Sequence, residues 1–481
     1  ILLNLNQDSS LFLQHSQGVL LLIGTENIQC NVKSKSLPGG VMINRCLVIH
    51  EIDDFGGDSM RHFSSTKGFL FAEGMSKHVD CFYLTTGSSS TIDGVRLLNI
   101  EQIRREGIES FDLIVITREF VFPELFDSLP EILELMLDGD RKAIIAHKGD
   151  SFGWIKNNGF RKSFSDKTGK IVFSEIGKMF DIICSQTELL AQRSKSSLPK
   201  DVCEKIEDSL FISRMGVPER IPYSGRDKDK IQKFPSKEDY CVDYWFDLKA
   251  GLALRPLCFT EKHVSRTLAD YSKFNEEKTK IIYSGRIKMD QAKIFYLMKD
   301  IMLELGDEFE LHIFPGSFML PGVPVKVFSS KFPVNVQLIR DRHFAECPNV
   351  IVHYPFDSKM KEDVFASMDI GLDFSQARPA DETSIMGNAK LLEYCYYGLK
   401  SVTERNVHNS DLSVESGGGI ALKGIASAKD YADAIKKLKK RKIDWRRVSK
   451  YTYSNHGWDK ITSEFLDEAR KRFAEKNGIK E

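Results

Sequence analysis

Short apolar runs alternate with longer amphipathic stretches along most of the 481-residue chain. In the first half the pattern predicts strands at Cys46–His50, Val79–Thr85, Phe111–Ile116, Lys142–His147, Phe180–Cys184 and Ser209–Ser213. Brief runs rich in β-branched and aromatic residues favour strand over buried helix. Between them lie helical stretches such as Pro123–Leu137, with apolar positions at Leu125, Leu129, Ile132, Leu133 and Met136. A polar, charged segment, Arg220–Lys237, interrupts the alternation, which then restarts. Further strands are predicted at Lys280–Ser284, Phe309–Phe314, Val350–His353, Ile370–Phe374 and Leu399–Thr403. Helices are predicted at Asp290–Leu305, Lys361–Ala366, Ala389–Tyr397, Ala428–Lys440 and Trp458–Lys476, and one more within Tyr240–Lys280.

Such alternation means parallel strands joined by crossover helices, with the sheet covered on both faces. The expected fold class is α/β: two tandem doubly wound (Rossmann-like) domains with an interdomain cleft. The domains are placed at 45–225 and 276–450, with a linker region at 226–275. Residues 1–44 fit the scheme poorly and read as an added extension or hairpin. Residues 451–481 read as a C-terminal helix. In these sheets ligands sit beyond the carboxyl ends of the strands, so a cleft between two such edges can hold two substrates.

Composition narrows the function classes. Lys+Arg and Asp+Glu both number 68, so no global field gathers nucleic acid, and a nucleic-acid partner is not expected. Locally, Lys436–Lys450 carries nine basic residues and one acid, a surface suited to an anionic membrane or a nucleic-acid backbone, or, as the favoured reading, simply a solvated helix end and loop. No apolar run approaches the roughly 20 residues of a membrane span. The best, Gly18–Gly24, is short and lacks the basic flank of a signal peptide. Nine scattered cysteines form no C-x-x-C pair, which fits reduced thiols in a cytoplasmic compartment and argues against a zinc site. The chain starts at Ile1 without methionine, as a fragment would.

Candidate chemistry concentrates in two stretches. In Ile281–Lys293 a strand ends at Ser284-Gly285 and Arg286 follows, with Lys288 and Lys293 adding charge. Glycine permits close backbone approach and arginine offers a bidentate contact to phosphate. In Asp381–Gly398, Asn388 reads as a helix N-cap with Lys390 in the first turn, where the macrodipole disfavours a cation unless an anion shares the site. Glu393, three residues on, lies on nearly the same face and suits vicinal hydroxyls such as those of a ribose.

The order Gly285-Arg286, then about 100 residues to Asn388-Ala-Lys390-Leu-Leu-Glu393-Tyr394, Gly398, Val402 and Gly417-Gly418-Gly419, resembles the carboxyl-terminal half of GT-B glycosyltransferases. It is most similar to the large retaining family 4 and its relatives. The Met215-Gly216-Val217-Pro218 turn resembles that family's crossing from the first domain to the second. His456-Gly457-Trp458 and the helix after it resemble the family's tail, which implies that 451–481 packs back on the first domain. The resemblance implies a glycosyltransferase, hexosyl or pentosyl, working from a nucleotide-diphosphate sugar, with retention. It assigns acceptor binding to 45–225 and donor binding to 276–450.

By resemblance, Arg286, Lys390, Lys293 and Gly57 meet the donor diphosphate, and Glu393, Tyr354 and Phe356 meet the ribose and base. His147, Asp150 and Glu382 are the catalytic candidates, with His147 placed at the cleft mouth. Two positions depart from the family: Gln291 stands where a lysine is usual, with Lys293 or Lys288 as substitute, and Ile385 where a glutamate is usual, with Glu382 or Asp381 as substitute. Cations that neutralise the leaving diphosphate can replace a metal, so neither metal nor cofactor is expected; Asp138-Gly139-Asp140 reads as a turn. The partners implied are a nucleotide sugar and a glycan or other hydroxyl acceptor, with peripheral membrane contact through Lys436–Lys450. Alternatives are transfer to a modified nucleic acid, or a non-catalytic nucleotide-sugar-binding protein of the same fold.

Overall fold

The computed structural model describes residues 43–50, 63–85, 89–118, 122–218, 278–288, 292–319, 343–353, 361–374, 389–405, 410–424 and 426–479. The expectations for residues 1–42, the linker at 226–275 and the helix within Tyr240–Lys280 fall outside them.

The described residues form two sheets. The first comprises β1 (Arg45–Ile49), β2 (Asp80–Leu84), β3 (Ser90–Ile92), β4 (Val95–Leu98), β5 (Leu113–Ile116), β6 (Ile144–His147), β7 (Ile182–Ser185) and β8 (Leu210–Ile212). Their order is β3-β4-β2-β1-β5-β6-β7-β8, all parallel except the β3–β4 pair at the edge. The second comprises β9 (Thr279–Lys288), β10 (Phe309–Met319), β11 (Val350–Val352), β12 (Ile370–Leu372), β13 (Lys400–Glu404) and β14 (Gly419–Leu422). Its order, β11-β10-β9-β12-β13-β14, is that of a doubly wound dinucleotide-type sheet, with the direction of winding reversing between β9 and β12.

β1, β5, β6 and β7 are buried along nearly their whole length because both faces are covered. Leu47, Ile49, Ile114, Ile116, Ile145 and Ile183 face one core, closed by helices that include Pro130–Leu137, Asn158–Thr168 and Val172–Met179. The intervening Cys46, Val48, Val115, Ile144, Ala146 and Ile182 face the other. That second core is closed by the Phe63–Ser76 helix and by Trp458–Lys476, the final helix of the chain. Lys476 Nζ lies 2.8 Å from Asp181 Oδ1, and Asn477 Nδ2 donates to the Lys142 carbonyl at 3.3 Å.

Where the chain leaves the first sheet, Val217 exchanges backbone hydrogen bonds with the last helices: its N–H donates to His456 O at 2.8 Å, and Trp458 N–H donates to Val217 O at 2.9 Å. Val217 also packs with Leu391, Leu392 and Cys395 of the second lobe.

Several elements differ from expectation. β9 does not end at Ser284-Gly285 but runs to Lys288, and β10 runs past Phe314 to Met319, because the two strands go on pairing beyond those points. The predicted Pro123–Leu137 helix is two, Phe122–Ser128 and Pro130–Leu137, because Leu129 precedes a proline and takes extended-side angles (φ −140°, ψ 69°) that end the first. The β3–β4 hairpin turns on Asp93 and Gly94, both at positive φ (48° and 81°), a two-residue turn matched to strand twist.

Trp458 is nearly buried and meets Phe71 edge-on, with ring centroids 6.0 Å apart. Trp458→Ala is expected to cost roughly 3–5 kcal/mol in urea unfolding. A loss below about 1 kcal/mol would show that the final helix is not part of this core.

Candidate functional site

The residues of interest collect at the carboxyl edge of the second sheet, at its winding reversal. Asp373 follows β12 and is wholly buried. The helix Ala389–Tyr396 begins over the same edge and presents Lys390 in its first turn. The Lys390 ammonium stands 3.6 Å from Asp373 Oδ1 and 5.6 Å from the Tyr283 ring centroid. Burial would lower its pKa, but attraction to Tyr283, Asp373 and Glu393 outweighs this and holds it above the usual lysine value. Lys390 is therefore a fixed positive charge at neutral pH.

Close backbone approach makes this possible. A Cβ on Gly285 would come within 2.7 Å of Lys390 Cδ, and the residue sits at φ 154°, so glycine within β9, three residues before its end, leaves the channel in which the lysine stem lies. Beneath it, Tyr394 lies against Gly371, where a Cβ would meet the ring at 2.4 Å, and its hydroxyl accepts a hydrogen bond from Ser284 N–H at 3.0 Å. Glu393 is half-buried on the exposed side of the same helix. Deeper at this edge, buried Glu404 accepts from Tyr431 Oη at 2.9 Å.

The structure thus brings Gly285, Lys390 and Glu393 together. The side chains of Arg286 and Lys293, and residues Gly57, Tyr354, Phe356 and Glu382, lie outside the described residues. Asp373 and Tyr283 were missed by sequence reasoning, although an acid directly after a wholly apolar strand is a readable signal. Gly417-Gly418-Gly419 lies at the other edge: Gly417 sits in the turn after the short Ser410–Glu415 helix, and Gly419 begins β14.

At the carboxyl edge of the first sheet, His50 Nδ1 is 2.6 Å from Thr117 Oγ1, spanning the winding reversal between β1 and β5. His147, which ends β6, is not at an open mouth as expected. Its ring is wholly enclosed by Phe122, Trp154 and Phe180, because these three aromatics converge from separate helices and loops. Trp154 Nε1–H donates to His147 Nδ1 at 3.1 Å, which leaves the proton of the neutral ring on Nε2. Asp150, by contrast, is exposed; its carboxylate accepts from Gln186 Nε2.

Asp138-Gly139-Asp140 is a turn at a helix end, where Asp138 Oδ1 accepts from Asp140 N–H at 2.9 Å. The thiols of Cys184 and Cys395 are pushed up to about 12 by burial, so neither is a nucleophile. Among the described residues no helix is long and apolar enough to cross a membrane.

No protein-family model matches the chain, and no curated protein matches it. Solved structures do match over nearly their full length. A glycosyltransferase from Rickettsia africae aligns with 10% identity and a TM-score of 0.51, covering 89% of this chain and 98% of that one. Sucrose-phosphate synthase from Thermosynechococcus elongatus aligns with 10% identity and a TM-score of 0.50, covering 90% and 99%. Trehalose-6-phosphate synthase from E. coli, bound with UDP-2-fluoro glucose, aligns with 10% identity and a TM-score of 0.50, covering 89% and 99%. At this level of identity the likeness establishes architecture: the chain has the GT-B fold, with two parallel-dominated α/β sheets.

Burial, reinforced by the positive charge of Lys148 and opposed by Asp150, lowers the His147 pKa to about 3. The folded protein therefore keeps this ring neutral while the unfolded chain protonates it near pH 6.5. Its contribution to stability is complete above that value and is lost as pH falls toward 3. Between pH 7 and pH 5 the loss is about 2 kcal/mol. His147→Gln is expected to flatten the dependence of unfolding free energy on pH by that amount; an unchanged slope in denaturant titrations at the two pH values would contradict the neutral assignment.

Proposed function

We propose that the chain is a glycosyltransferase that moves a sugar from a nucleoside diphosphate sugar to a glycan or other hydroxyl acceptor. The observation that carries this reading is the Lys390 ammonium, held by Asp373 at the first turn of a helix, over Gly285, at the winding reversal of the second sheet. Helix N-termini and reversal crevices are where doubly wound folds receive phosphates. A cation fixed there does chemical work. As the bond between the sugar's anomeric carbon and the diphosphate oxygen breaks, negative charge gathers on the leaving group. A positive charge already in place stabilises that state more than the bound donor. The acceptor oxygen forms the new bond to the anomeric carbon, and its proton passes to the departing diphosphate oxygen.

In this proposal Arg286 and Lys293 join Lys390 at the diphosphate, and Gly57 approaches it from the first lobe. Glu393 takes the ribose hydroxyls, and Tyr354 and Phe356 contact the base. Asp150, exposed, and Glu382 act at the sugar. His147, neutral and enclosed, supports the Asp150 loop and transfers no proton. Retention follows the family resemblance. Peripheral contact with an anionic membrane uses Lys437, Lys440 and Lys450, which are exposed on one stretch.

A thermal-unfolding panel of UDP, GDP, ADP and their sugars tests the donor site. A nucleotide at 100 times its dissociation constant adds about 2.7 kcal/mol of stability. Lys390→Gln combined with Asp373→Asn removes both charges without stranding either, and is expected to abolish that stabilisation while keeping a cooperative melt. An unchanged nucleotide effect in the double variant would remove the site assignment. Binding without hydrolysis or transfer of any donor would make the chain a binding protein.

A further inference from the structure

A cavity of about 330 Å³ opens in the second lobe between the turn after the Ser410–Glu415 helix and the segment joining Ala428–Lys440 to Trp445–His456. It is lined by Arg441, Lys442 and Arg447, together with Glu415, Asp444 and the backbone at Gly417. None of the three cations has a side-chain hydrogen bond or ion pair among the described residues. Others of the same basic run are engaged: Lys439 pairs with Glu308 at 2.6 Å, and Lys436 donates to the Glu304 carbonyl at 2.8 Å. The two carboxylates of the cavity are turned to neutral donors. Glu415 Oε2 accepts from Tyr451 Oη at 2.7 Å, and Asp444 Oδ1 accepts from the N–H groups of Arg446 and Arg447 at 3.1 and 3.2 Å. Asp444 thereby caps the helix itself, so the cavity's attraction for an anion rests on its side chains.

The cavity is not the donor site. Glu415 to Gly417 lead into the amino end of β14, and Arg441 follows the last turn of Ala428–Lys440. Lys400, at the amino end of β13, donates to the Leu438 carbonyl of that turn at 2.8 Å. The cavity therefore lies at the amino edge of the sheet, and Lys390 at the carboxyl edge.

We propose that this cavity is a second anion site, which takes a ligand carrying a phosphomonoester. A phosphomonoester brings a charge of about −1.5 to −2 and three acceptor oxygens, which suits two guanidinium forks and an ammonium. The volume lies at the lower end of the ~300–1,000 Å³ of small-molecule sites, enough for a phosphate and a small polar body. The proposal does not rest on the donor reading.

The ligand could be soluble or a lipid headgroup, and two arms separate these. Inorganic phosphate is titrated calorimetrically, and vesicles of phosphatidylcholine with and without phosphatidic acid are tested by co-sedimentation. At least one phosphomonoester probe is expected to bind the wild type. Arg441→Gln with Arg447→Gln should weaken that binding about tenfold or more. The Lys390→Gln, Asp373→Asn variant should bind as the wild type does. Phosphate binding assigns a soluble ligand, and binding only to vesicles containing phosphatidic acid assigns a lipid. Absence of binding in both arms, or equal affinity in the arginine variant, overturns the proposal.

Discussion

An ammonium group withdrawn from water is costly unless an opposite charge meets it in good geometry, and stranding one member of such a pair costs about 3–5 kcal/mol. The contact between Lys390 and Asp373 imposes that condition on its surroundings. Asp373 has no exposure, so the lysine cannot swing away without taking its charge from a carboxylate that water does not reach. The lysine stem, in turn, fits only because position 285 has no side chain. Its helix is seated by Leu391, Leu392 and Cys395, which pack on Val217, where the chain crosses between lobes, and on Val448. Local charge and the crossing point are thus held by one cluster of contacts, and a shift in either is felt by the other.

The architecture was readable because its strands are buried on both faces. Wholly apolar runs such as Leu113–Ile116 and Ile144–Ala146 leave little ambiguity, and the Ala428–Lys440 and Trp458–Lys476 helices follow directly from their periodicity. What escaped was set by single residues or by convergence in space. Pro130 divides a stretch whose apolar spacing is continuous across it. The Asp93-Gly94 turn was overlooked because its strands are only three and four residues long. The motif from Asn388 to Tyr394 pointed to Lys390, but its partner Asp373 lies on another strand and joins it only through the sheet. The enclosure of His147 depends on Phe122, Trp154 and Phe180, which no local pattern unites.

The two edges of the second sheet are electrostatically unlike. At the carboxyl edge charge is buried and paired, so its position is fixed and salt screens it little. At the amino edge Arg441 and Arg447 are exposed and have no side-chain partner among the described residues, so their field is soft and open to screening. Strand direction separates the two, since every strand of this sheet runs the same way.

The closing of the first lobe by the final helix has a consequence for how the chain is made. One face of its sheet, with Val48, Val115 and Ala146, is covered by Ile461, Phe465 and Leu466. A ribosome must translate the whole second lobe before those residues emerge. The nascent first lobe therefore waits with an uncovered apolar face, a natural client for chaperones, and the two lobes cannot mature as independent units.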